Sequence, residues 1–109
     1  MEWPENVTEI GEKAYREFVN AYPFVVVDFW GPTCAPCKMI APVIEDLSRN
    51  LKGEVAFAKV DVTKNLKLAG EMSIRSIPTI AFYKNGELVK TKVGFLPRNK
   101  FMMELREIM

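Results

Sequence analysis

Cys34 and Cys37 stand three residues apart in the run Trp30-Gly31-Pro32-Thr33-Cys34-Ala35-Pro36-Cys37-Lys38; the chain has 2 cysteines in all and no histidine. The run begins where an apolar, strand-like segment ends and an amphipathic helical pattern starts. Cysteines at this spacing can close a disulfide within one helical turn, so the chemistry they offer is reversible dithiol exchange. Other uses fit less well. A structural zinc site needs four ligands, and two cysteines without histidine supply half of them. Covalent haem attachment calls for histidine after the second cysteine, where Lys38 stands. A static disulfide across so short a loop would contribute only about 2 kcal/mol in the chain-entropy account.

With a helix starting around Cys34, unpaired N–H groups and the positive end of the helix dipole stabilise a thiolate there. Cys34 is therefore the candidate nucleophile. Cys37 lies inside the first turn, on the same side and better shielded, which suits a resolving thiol that attacks the mixed disulfide. Asp28 alternates onto one face of its strand with Val26 and Trp30. Both faces of that strand look buried, and an isolated carboxylate there is costly unless protonated or paired. Desolvation raises its pKa and makes it a proton acceptor for Cys37; a hydrogen-bonded structural aspartate at a strand end is an equal reading. Lys59, in Phe57-Ala58-Lys59-Val60, is the candidate partner on a neighbouring strand. Pro78, after β-branched Ile77, reads locally as a strand-start marker, and trans is the default for such a bond.

The elements that must position these residues follow from periodicity. Thr8 is expected to cap a helix carrying Ala14, Phe18 and Val19, which ends between Asn20 and Pro23. Phe24 to Trp30 is a continuous apolar run suited to a strand covered on both faces. Met39, Ile40, Val43, Ile44 and Leu47 mark a long helix, bent at Pro42, whose ring removes a helix hydrogen bond. Val55 to Asp61 reads as a strand and Asn65 to Glu71 as a short helix. Thr79 to Lys84 and Glu87 to Gly94 form a hairpin about Asn85-Gly86, because both turn residues tolerate positive φ. A last helix starts near Pro97. The alternating first half and the terminal hairpin together predict an α/β fold, a central mixed sheet flanked by helices on both faces.

Composition narrows the partners. The 109 residues suffice for one domain, and 15 basic against 14 acidic residues, net +1, argue against a surface for nucleic acid. The segment Met1-Glu2-Trp3-Pro4-Glu5-Asn6 lacks the basic and apolar regions of a secretory signal, and no stretch has the length of a membrane span. A soluble cytoplasmic monomer is expected, in a compartment where persistent structural disulfides are uncommon.

The segments Val27-Asp28-Phe29-Trp30, Cys34-Ala35-Pro36-Cys37-Lys38-Met39-Ile40-Ala41-Pro42, Ala58-Lys59-Val60-Asp61, Ile77-Pro78-Thr79 and Lys84-Asn85-Gly86-Glu87, with Gly94, together resemble the thioredoxin family over nearly the whole chain. The resemblance implies the thioredoxin fold as a single domain over 1–109. It implies Cys34 as nucleophile, Cys37 as resolving thiol, Asp28 as the buried acid-base residue and Lys59 as its neighbour. A cis Ile77-Pro78 peptide would face the cysteines, its backbone pairing with the substrate chain. Trp30, Thr33, Ala35, Pro36, Ile77, Pro78 and Gly94 would form the surface that meets the client. No cofactor is implied beyond the Cys34–Cys37 disulfide itself; electrons would come from a flavin-containing, NADPH-dependent thioredoxin reductase and pass to disulfides of client proteins.

Two positions depart from the family's usual W-C-G-P-C, with Thr33 in place of the tryptophan and Ala35 in place of the glycine. Losing the tryptophan removes a large apolar contact from the docking surface, which bears on client and reductase preference. Potentials in this family and its relatives run from about −270 mV for thioredoxin through about −180 mV for protein disulfide isomerase to about −120 mV for DsbA. Retention of Pro36 and absence of histidine between the cysteines put this chain near the reducing end. A general disulfide reductase is the leading expectation, beside a glutaredoxin-like or isomerase-like oxidoreductase and, from another class, a binding module with incidental redox activity.

Overall fold

β-Branched and aromatic residues fill Phe24–Trp30, and this run becomes the central strand of the protein. The structure, a computed structural model, describes residues 2–109. Its elements are β1 (Thr8–Glu9), α1 (Glu12–Ala21), β2 (Phe24–Trp30), α2 (Ala35–Asn50), β3 (Ala56–Asp61), α3 (Leu66–Glu71), β4 (Thr79–Lys84), β5 (Glu87–Val93) and α4 (Arg98–Ile108). The 5-stranded sheet has the order β1-β3-β2-β4-β5. β1 and β2 run parallel to β3, whereas β4 is antiparallel to both β2 and β5. This is the expected mixed sheet, the parallel part built by helical crossovers and the antiparallel part by the hairpin.

Strand alternation sorts β2 into two cores. Val25, Val27 and Phe29 pack with Tyr15 and Val19 of α1 and Leu68 of α3. Val26 packs on the opposite face with Ile40, Ile44 and Leu47 of α2 and Phe101 and Leu105 of α4. Phe29, Phe57, Phe82 and Phe101 are fully withdrawn from water, and each such side chain contributes roughly 1.5–3 kcal/mol relative to an exposed one. Asp28 falls on the α2/α4 face, directly opposite Lys59 on β3 and Ile80 on β4.

The N-terminal expectation needs correction. Thr8 caps no helix; it lies in the edge strand β1, paired with Ala58. Helix α1 starts later, after Gly11, which supplies no side-chain cap. Its first-turn donor, the Glu12 N–H, is satisfied by Asn65 Oδ1 at 3.1 Å, and Glu12 Oε1 in return accepts from Leu68 N at 3.1 Å. The cap thus arrives from the β3–α3 connection, more than fifty residues along the chain, which no local signal announces.

The hairpin stands as expected. Asn85 (φ 51°) and Gly86 (φ 83°) both sit in the left-handed region, and Lys84 pairs with Glu87 across the two-residue turn. A Cβ at Gly86 would also run into the Asn20 side-chain oxygen. Gly86→Ala is therefore expected to lower stability by about 1–2 kcal/mol. The check is urea unfolding, where the midpoint should fall with an unchanged m-value.

Candidate functional site

Cys34 is the residue at which β-type backbone gives way to helix. It occupies the cap position of α2 in extended conformation (φ −114°, ψ 108°), and its Sγ accepts from the Cys37 N–H at 3.2 Å. Pro36 lies in the first turn of α2, where its missing N–H forfeits no helix bond. Cys34 and Cys37 are joined as a disulfide with their Cα atoms 5.2 Å apart. Cys34 is the more open of the two, at 9% exposure against 4% for Cys37.

The Ile77-Pro78 peptide is cis, and the Ile77 carbonyl oxygen lies 3.6 Å from Cys34 Sγ. Pro78 O accepts from Gly94 N at 2.8 Å, and Thr79 opposite Val93 continues that pairing along β4 and β5. Gly31 admits this loop to the end of β2, since a Cβ there would stand 2.8 Å from Ile77 Cδ1. Of the residues expected on the client surface, Thr33, Ala35 and Pro36 are exposed, Trp30, Ile77 and Gly94 are half-buried and Pro78 is buried.

Behind the disulfide, Cys37, Asp28, Trp30 and Lys59 line one cavity of about 150 Å³. Burial pushes the Asp28 carboxyl up to about 7, against the opposing pull of the Lys59 ammonium. Asp28 Oδ1 has no hydrogen-bond partner among the described residues, nor has Trp30 Nε1. An unpartnered buried oxygen counts against the hydrogen-bonded structural aspartate that the sequence allowed, because such a group contributes nothing to offset its desolvation. Lys59 Nζ lies 5.5 Å from the Trp30 ring centroid, a cation–π contact that holds its charge near the carboxyl.

Four further residues of this cavity, Gly31, Pro32, Lys38 and Ala41, were not singled out from the sequence. A signal existed for Ala41, one helical turn beyond Cys37 on the same face of α2. None existed for Lys38 lining the same cavity as Asp28, which depends on how α2 lies across the sheet. Among the described residues no group of three or more His, Cys, Asp or Glu could hold a metal ion, and no helix is long and apolar enough to cross a membrane.

Opening and closing the Cys34–Cys37 bond is the chemistry this arrangement performs, and the class it defines is the thiol-disulfide oxidoreductases of thioredoxin fold. The chain belongs to the thioredoxin family, which it matches over residues 6–107. It is 41% identical over 97 residues to thioredoxin of Rickettsia felis, covering 89% of this chain and 90% of that one. Identity to thioredoxin of Bacillus subtilis is 47% over 74 residues, 68% of this chain and 71% of the relative. A mutant thioredoxin from Halobacterium salinarum superposes with a TM-score of 0.91 at 27% identity, covering 99% of this chain and 95% of its own.

Proposed function

We propose that the protein, as one domain over 1–109, reduces disulfides of client proteins, with Cys34 as nucleophile and Cys37 as resolving thiol. The observation that carries this reading is the single cavity in which the redox pair's inner member, Cys37, meets the unpartnered carboxyl of Asp28. Cys34 thiolate, stabilised by the Cys37 N–H and the start of α2, attacks one sulfur of the client disulfide. The client S–S bond breaks and one client thiolate leaves. Asp28, ionised in about half of the molecules at neutral pH by its position near 7, takes the Cys37 proton. Cys37 thiolate then attacks Cys34, closing the intramolecular disulfide and releasing the second client thiol. Lys59 beside Trp30 tunes the carboxyl by its charge.

The client backbone pairs beside Pro78, over a surface of Trp30, Thr33, Ala35, Pro36, Ile77 and Gly94. Electrons return from a flavin-containing, NADPH-dependent thioredoxin reductase, in the cytoplasm, where thiols are kept reduced. Two measurements test this. The Cys34–Cys37 potential in defined dithiothreitol buffers is expected near or below about −250 mV, and a value near −180 mV or above would indicate isomerase work instead. Insulin reduction should run faster with NADPH and thioredoxin reductase than with glutathione and its reductase. The reverse order would favour the glutaredoxin-like alternative.

A further inference from the structure

The cavity behind the disulfide reaches Asp28 from the side of Trp30, Pro32 and Cys37. A second cavity, about 330 Å³, opens on another side; it shares Asp28, Ala41 and Lys59 with the first and runs on to Asn6, Glu45 and Arg49. The two spaces meet at a side chain that is 5% exposed and whose Oδ1 is unpartnered among the described residues. The second cavity has room for several waters and carries polar groups along its wall, the conditions under which a cavity is hydrated and not dry.

A client attached to Cys34 over the docking surface proposed above would cover the mouth of the front cavity, whose lining includes Trp30, Pro32 and Cys37. Asp28 must nonetheless be ionised to accept the Cys37 proton, and must afterwards lose it. We infer that the Asp28 carboxylate keeps its contact with bulk water through the rear cavity, past Asn6, Glu45 and Arg49, and so stays solvated and able to ionise while a docked client closes the front. The inference rests on the base role proposed above for Asp28. In the resolving step the Cys37 S–H proton passes to the Asp28 carboxylate, and the Cys37 electron pair forms the bond to Cys34. The Cys34–client bond breaks and its electron pair leaves with the client sulfur. The client is reduced, the cysteine pair is oxidised, and the proton goes from Asp28 to water.

The charged and titratable groups about Asp28 are Lys59 from β3 and Cys37, Lys38, Glu45 and Arg49 from α2. β4 faces it with apolar Ile80, and α4 closes the same core with Phe101 and Leu105. Glu45 and Arg49 are exposed, so the rear route ends in solvent at a rim of opposite charges.

The test uses Cys37→Ser protein carrying a short apolar cysteine peptide as a stable mixed disulfide on Cys34. The carbon resonance of the Asp28 carboxyl is followed against pH, with and without this cap. Three versions of the rear wall are compared: native, Val7→Trp and the exposed-rim variant Asn6→Trp, which touches no core contact. With the native wall, capping should move the midpoint by no more than about half a unit. With the rear filled, capping should raise it by about one unit or more, roughly a fivefold loss of the ionised fraction at neutral pH for a group that starts at about 7. A midpoint that rises on capping alone as far as it does with the rear filled overturns the inference. So does one that ignores both tryptophans in the capped protein. Failure of the base role shows elsewhere, in a resolving step indifferent to Asp28→Asn.

Discussion

Replacing Cys34 by serine is expected to lower protein-disulfide reduction at least about a thousandfold, because a hydroxyl at the start of α2 is neither ionised at neutral pH nor able to form the mixed disulfide. Cys37→Ser should behave differently. Its Cys34 can still attack, so one equivalent of client thiol is released and the protein stalls with the client bound through Cys34. Mass spectrometry of the stalled species distinguishes the roles, since Cys34→Ser should give no adduct. The greater exposure of Cys34 and the N–H donated to its sulfur both favour this order of attack. An adduct on Cys37 in the Cys34→Ser variant, formed as fast as the native one, would reverse the assignment.

Asp28→Asn is expected to separate catalysis from stability. Asparagine fills the same space but accepts no proton, so the resolving step should slow about a hundredfold at pH 7 and above. In the native protein that step should quicken as pH rises through about 7, the position to which burial pushes Asp28 from 3.8. This limb should vanish in the variant. Stopped-flow release of client from a preformed mixed disulfide measures both.

Stability moves the other way. The folded state holds the Asp28 proton more tightly than the unfolded chain, so native stability falls as pH rises between 3.8 and about 7. The contribution is fully present below 3.8 and is lost once pH has risen through about 7. A shift of this size corresponds to about 4 kcal/mol as a ceiling. Asp28→Asn should therefore be more stable than the native protein at pH 8 by up to that amount, with the difference narrowing towards pH 4. Denaturant titrations at the two pH values decide it. Equal stability at pH 8 would mean that the carboxylate is well solvated where it sits.

Most of the fold can be read along the chain because its signals are local. The short apolar runs of β2, β3 and β4, bounded by turn residues and led by the β-branched and aromatic residues of β2, favour strand over helix, and Asn85-Gly86 dictates its own turn by its tolerance of positive φ. Boundaries shift by a residue where packing decides them: β3 begins at Ala56 and β5 ends at Val93. The beginning of the chain misleads for a physical reason. Thr8 has the side chain of a helix cap, but the two residues of β1 gain their hydrogen bonds from β3, and a segment so short carries no periodicity.

The site divides along the same line. Two cysteines at this spacing, ahead of a helix and in a chain without histidine, already point to dithiol chemistry, and alternation along β2 already puts Asp28 on the face of Val26 and Trp30. These are properties of neighbours in the chain. Folding alone brings Asp28 opposite Lys59, sets the Ile77 carbonyl 3.6 Å from Cys34 Sγ and opens a second cavity behind the carboxyl. Each of those depends on strand register and on how α2 lies across the sheet. Both arise from packing among residues far apart in the chain, so no local pattern encodes them.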